Sequence, residues 1–282
     1  MSESPMSATS MSAKSMSAAS RRLPTYFVSH GGPDILLNDT PARTYIEGMS
    51  AAMGRPRAIV VASAHFMTRQ PAVVHDAKPG MIYDFGGFPE ELYRIVYPAP
   101  GEPDVALKVA HLLQDAGLAP ALVEGRGFDH GTWVPLRMIY PDADIPLVQL
   151  AVQPRETPEH HYKLGQALQR LADEDILVFG SGAVTHNLQA MFRGGYELNH
   201  PALNWVEDFS AWINDKICAG DVDALLDYRH KAPFAVENHP TDEHLLPLFV
   251  ALGAAGDGAK GTRLHTSVQN GVLAMDAFAF AA

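Results

Sequence analysis

The chain has 282 residues, with 21 Lys and Arg against 32 Asp and Glu, 13 His and one Cys, for a formal net charge of −11. That length suffices for one large α/β domain with its own core, and the acidic balance argues against sequence-independent binding to nucleic acid or to an anionic membrane. The single Cys218 rules out an internal disulfide and a thiolate zinc finger, and no apolar run reaches the roughly 18 residues of a membrane span. A soluble, cytoplasmic protein is expected, and any metal would be held by nitrogen and oxygen.

The first twenty residues divide into four pentads, MSESP MSATS MSAKS MSAAS, without hydrophobic periodicity. Residues 1–22 read as a disordered Ser/Ala/Met-rich leader ahead of one domain spanning 23–282. The paired arginines of SRRLPTYF at 20–27 resemble an export signal, but TYFVSHGGPD follows, a first core strand and its loop rather than an apolar region with a cleavage site. Further strands are predicted at 58–64, 72–75, 119–123, 145–151 and 176–180, the best of them nearly continuous in apolar residues, as in strands buried on both faces. Between them, helices start at Thr40, after Gly101 and at Thr157, each with a proline in the first turn. They end near Gly54, Gly117 and Glu174, and more helix is predicted at 201–217, 221–227 and 243–252, the last with Thr241 as its cap. Strand character returns at 262–268 and 272–280. This alternation predicts a single α/β domain with a central parallel or mixed sheet and helices on both faces. The loop-rich stretch 76–101 reads as a wall over a site.

In such sheets ligands bind beyond the carboxyl ends of the strands, which turns the histidines into a test. His30 ends the first strand in SHGGPD, His65 the second in VVASAHF, and His186 follows the sixth in FGSGAVTHNL. His130 lies in the glycine-rich GFDHGTW ahead of a helix, and ENHPTDEH places His239 and His244 near another helix start. One histidine at a strand end is ordinarily a hydrogen-bonded structural group; three beside small residues point to a common site. No serine occupies a nucleophile elbow, so a metal accounts for the set better than a hydrolytic triad. Imidazole ligands need carboxylates or carbonyls behind them, and Asp34, Asp129, Asp242 and Glu243 are near in sequence. Three nitrogen ligands with open positions suit zinc or non-haem ferrous iron.

Taken together, SHGGPD at 29–34, ASAHF at 62–66, YDFGGFPEELY at 83–93, YPAPG at 97–101, GFDHGTW at 127–133, YPDADIPLVQL at 140–150, SGAVTHNL at 181–188 and HPTDEHLLPL at 239–248 resemble, in this order, the 4,5-DOPA extradiol dioxygenases. These are class III ring-cleaving enzymes related to the catalytic subunit of protocatechuate 4,5-dioxygenase, and the resemblance covers roughly residues 23 to 280. It implies that His30, His65 and His244 bind the metal at the carboxyl ends of the strands. It implies that His186 is the acid–base group, that His130 lines the pocket and contacts a catechol oxygen, and that His239 is a further pocket candidate. The protocatechuate-type enzymes use two histidines and a glutamate, so Glu243 beside His244 is an alternative ligand. The implied activity is cleavage of a catechol by dioxygen to a muconic semialdehyde, with Fe(II) as the active metal and Zn(II) able to occupy the same site. Two other functions compete: a zinc hydrolase built on the same three histidines, and a non-catalytic protein binding a metal or an aromatic ligand.

Overall fold

A computed structural model of the protein describes residues 22–281; the pentad repeat, with the leader reading attached to it, lies outside them. The apolar run after the paired arginines forms β1 (Thr25–Ser29), buried along its whole length. It is followed by β2 (Ala58–Met67), β3 (Ala72–Val74), β4 (Ala121–Val123), β5 (Leu147–Val152) and β6 (Ile176–Gly182). The C-terminal strands are β7 (Lys260–His265), the short β8 (Val268–Gln269) and β9 (Leu273–Ala274), and β10 (Ala277–Ala281). One eight-stranded mixed sheet has the order β4-β3-β5-β2-β6-β1-β10-β7, and β8 and β9 form a separate ribbon. Its centre, β5-β2-β6-β1, is parallel; β3 and β10 join it antiparallel.

Alternation along the central strands divides the core between two faces. Tyr26, Val28, Ile59, Val61 and Phe179 face a cluster completed by Trp133, Leu136 and Ile46, from the helices His130–Ile139 and Pro41–Gly48. On the other side Val60, Ala62 and Val178 meet Val105, Leu164 and Val250, from Pro103–Asp115, Pro158–Ala167 and Leu246–Ala255. The last of these helices is buried at every position, which explains its lack of amphipathic pattern. Among the described residues no helix is long and apolar enough to cross a membrane.

Element ends differ from the sequence prediction where local chemistry intervenes. The helix from Thr40 breaks at Met49 into Pro41–Gly48 and Ser50–Met53 before Gly54 turns with φ 69°. The helix from Thr157 becomes a 3-10 turn over Gln169–Glu174, closed by Asp175 in the left-handed region. The helix predicted from 243 starts at Leu246, and Thr241 is not its cap: its hydroxyl donates to Glu243 Oε1 at 3.1 Å. The strand predicted over 272–280 splits at Met275 and Asp276 into β9 and β10.

Two irregularities place the site. In β2 the register to β5 jumps between Ser63 and Met67, so His65 sits on a bulge at the carboxyl end of the strand. In β6 a Cβ on Gly182 would lie 2.1 Å from the His244 carbonyl oxygen. Glycine there lets the turn carrying His244 lie directly on the strand, fixed by the Ala183 amide donating to the same carbonyl at 2.8 Å.

Candidate active site

His30 follows β1, and its amide donates to the Gly182 carbonyl at 2.9 Å. Its ring and those of His65 and His244 turn toward one point: His65 Nε2 is 3.1 Å from His30 Nε2 and 3.2 Å from His244 Nε2. Each ring has an outer partner at Nδ1. His30 Nδ1 donates to Ser181 Oγ at 2.9 Å, while the Ser181 hydroxyl itself donates to the Gly131 carbonyl. His244 Nδ1 lies 3.0 Å from Glu243 Oε1, and His65 Nδ1 lies 3.5 Å from Asp84 Oδ2. With the proton held at Nδ1, three Nε2 lone pairs face one another. Burial, reinforced by the neighbouring histidines, holds His30 and His244 well below the ordinary histidine pKa and takes His65 down to about 3. Neutral imidazoles with converging lone pairs and outer acceptors are a donor set that zinc and ferrous iron both take.

Two more histidines stand over this point. His130 opens the helix His130–Ile139, capped by Asp129 Oδ1, which accepts from the Thr132 amide at 3.1 Å. Asp84 Oδ1 accepts from the His130 amide at 2.9 Å and from Nδ1 at 3.0 Å, leaving Nε2 without a hydrogen-bond partner among the described residues. Burial works against the Asp84 charge, but the His130 hydrogen bonds prevail and hold its carboxyl at about 2. One carboxylate thereby orients a ring of the converging set and a cavity-facing ring together. His186 follows β6, its amide donating to the Asn238 carbonyl at 2.9 Å, and its ring stacks on His244 with centroids 3.3 Å apart and planes 11° apart. Burial, then the adjacent His239, lowers its pKa to about 3. These five imidazoles form the floor of a cavity of about 550 Å³ whose walls include Phe85, Phe88, Leu188, Met191 and Phe192.

Residues 26–278 match the family model of the catalytic LigB subunit of aromatic ring-opening dioxygenase. The chain belongs to this family. It is 39% identical over 260 residues to a 4,5-DOPA dioxygenase extradiol of Beta vulgaris, covering 91% of this chain and 96% of that one. It is 38% identical over 243 residues to a 4,5-DOPA dioxygenase extradiol of Escherichia coli (84% and 86%). The crystal structure of an uncharacterized protein of Escherichia coli K12 superposes with a TM-score of 0.73 at 31% identity, covering 92% of this chain and 99% of that one. The protein is an enzyme of the ring-opening dioxygenase family, with a single-domain α/β fold.

For this LigB-family enzyme the structure brings together His30, His65, His130, His186 and His244. His239 it does not. That ring is fully buried against Phe209 and Tyr228, pairs through Nε2 with the Val184 carbonyl at 2.7 Å, and is absent from the cavity wall. The expectation that His239 contacts substrate is corrected on that ground. Glu243 stands behind His244 at Nδ1, outside the converging Nε2 atoms. Of the carboxylates near in sequence, Asp242 is bound to the Tyr228 hydroxyl and Arg229, away from the rings. Asp129, fully buried, ties the Ser63 hydroxyl at 2.7 Å to Gln149 and Arg126, each at 2.9 Å. Sequence reasoning missed Asp84 and Ser181 as ring-orienting groups, although both lie within the quoted motifs; their roles depend on which loop folds over which strand. Stretch 76–101 is the wall it was expected to be, through Asp84, Phe85 and Phe88.

Proposed function

We propose that the enzyme is a non-haem ferrous extradiol dioxygenase that opens the ring of a catechol with dioxygen, placing both oxygen atoms in a muconic semialdehyde. His30, His65 and His244 hold the metal through Nε2. The observation that carries the reading is the convergence of these three nitrogens, each with its Nδ1 engaged on the outer side, beneath a cavity that adds two further imidazoles. Bound there, ferrous iron supplies a redox-active centre with open positions for a catecholate and dioxygen. The relatives named for cleaving 4,5-DOPA support the substrate class.

The roles of the other two histidines follow from their surroundings. With Nδ1–H committed to Asp84, the His130 Nε2 is the acceptor for a catechol hydroxyl proton, and the Asp84 carboxylate stabilises the imidazolium that results. Neither ring nitrogen of His186 has a hydrogen-bond partner among the described residues, and its plane is fixed by the stack on His244. It holds one proton at a ring nitrogen for the oxygen that is released when the O–O bond of dioxygen breaks. The free, exposed thiol of Cys218 supports a cytoplasmic setting.

The test is anaerobic loading with ferrous iron, then oxygen and a panel of catechols, reading oxygen uptake and yellow product. One oxygen consumed per catechol cleaved is expected, with none for the zinc-loaded protein. His186→Ala is expected to keep the metal and lose turnover by roughly 10²–10⁴-fold, whereas His244→Ala loses the metal. No oxygen uptake across the panel, or undiminished metal affinity in His244→Ala, refutes the assignment.

A further inference from the structure

We propose that the cavity selects catechols whose side chain ends in a cationic amine, and that Asp34 is the group that recognises it; this rests on the ring-cleavage reading of the same cavity. Asp34 lies in the loop that leaves β1, four residues beyond His30, and lines the cavity. Its Oδ2 accepts from Asn38 Nδ2 at 3.0 Å, and no Lys, Arg or His pairs with it among the described residues. It is a carboxylate presented to the cavity without a counter-charge.

The rest of the lining sharpens the point. Among the described residues that line the cavity there is no Lys or Arg, and the only acids besides Asp34 is Asp84, which is already engaged with His130 and His65. A substrate side-chain carboxylate entering here meets two like charges and no Lys or Arg. An ammonium meets an unpaired carboxylate beside an aromatic ring. The position a Cβ would take on Gly32 lies 2.5 Å from Asp34 Oδ1 and 3.9 Å from Phe88 Cε1, so the carboxylate and the Phe88 ring share one corner. A charge-assisted hydrogen bond to Asp34 favours an ammonium at such a corner, and the Phe88 ring offers apolar contact to the methylene chain that carries it. In this proposal the imidazoles handle the catechol oxygens and Asp34 handles the substituent, so Asp34 acts on specificity rather than on the reacting atoms.

The experiment uses three probes differing in the terminal group of one two-carbon chain: 4-(2-aminoethyl)catechol, 4-propylcatechol and 3-(3,4-dihydroxyphenyl)propionate. Each is titrated calorimetrically into the zinc-loaded protein at pH 7, then assayed for oxygen uptake with the ferrous protein. Binding is expected in the order amine, neutral, acid, with the amine about tenfold or more tighter than the acid. Asp34→Asn is expected to lower the ratio of amine to neutral affinity about tenfold, and Asp34→Glu to retain most of it. Taking the ratio within one variant removes any general disturbance of the loop. An acid that binds as tightly as the amine, a ratio unmoved by Asp34→Asn, or no binding by any probe overturns the proposal. The expected binding order without oxygen uptake from any probe would instead refute ring cleavage and leave the selection standing.

Discussion

Gly131 is the second residue of the helix His130–Ile139, and a side chain there would press on two of the three proposed metal ligands. A Cβ would lie 2.8 Å from Ser63 Oγ, 2.9 Å from His65 Cδ2 and 3.3 Å from His30 Cε1. Carbon atoms rest at about 3.5–4.0 Å, so the His65 ring must retreat by roughly 0.6 Å and His30 by about 0.2 Å. The backbone of Gly131 does not have positive φ, and alanine is the better helix former by about 1 kcal/mol. That gain offsets much of an overpacking cost of about 1–3 kcal/mol, so the Gly131→Ala fold should survive. Metal coordination is less forgiving, because ligand distances hold to about 0.2 Å. If most of the strain is relieved by retreat of His65, zinc affinity falls about 10–100-fold. The assay is zinc competition against a chromophoric chelator, with thermal unfolding of the metal-free protein alongside. Affinity equal to wild type would refute the argument, and so would a loss of affinity matched by collapse of the metal-free Tm.

Asp84→Asn removes the charge that supports an imidazolium at His130 while keeping a hydrogen-bond acceptor; kcat is expected to drop roughly 10–100-fold in steady-state kinetics with ferrous iron present in excess. His239→Ala should act on stability, because the ring is fully buried and bonded to the Val184 carbonyl; a cost of about 2–4 kcal/mol in urea unfolding is expected, with KM for catechol little moved. His161 is fully buried, with the Gln153 amide donating to Nε2 at 3.0 Å, and burial takes its pKa down to about 4. The unfolded chain takes up this proton near pH 6.5 and the folded chain only near 4. Its stabilising contribution is therefore complete above pH 6.5 and falls as pH drops toward 4, by roughly 3 kcal/mol; His161→Gln should flatten the urea midpoint against pH across that window.

The residues that sequence made legible are those whose position follows from one strand end. His30 and His186 sit just beyond the ends of continuous apolar runs, buried at every position in β1 and β6, and the end of such a run is visible without tertiary knowledge. His65 was legible for the same reason, although β2 runs two residues past it on the bulge. Asp84 was not, because nothing local distinguishes it from Asp76 or Asp104: its importance arises when the 76–101 wall brings it within 3.0 Å of a residue 46 positions away. His239 shows the converse error. The resemblance offers His239, close in sequence to His244, as a pocket candidate, but the turn between them points one ring at the cavity floor and the other at Phe209 and Tyr228. Helix ends were displaced where a side chain found another partner, as Thr241 did with Glu243.

The charge of the site follows a consistent rule. Three neutral imidazoles bring no negative charge to a divalent cation, unlike a set in which one ligand is a carboxylate. Here the carboxylates stand one bond further out, Glu243 behind His244 and Asp84 behind His65 and His130. An N–H donated to a carboxylate makes the opposite ring nitrogen a stronger donor, so anionic character reaches the centre through the rings without occupying a coordination position. In the proposed reaction the inner charge is left for the substrate: a catechol that gave its proton to His130 would be the one anion beside the three imidazoles. Deprotonation and binding would thereby reinforce each other, and the one cavity carboxylate left over, Asp34, would be free to act on the substituent, as proposed above.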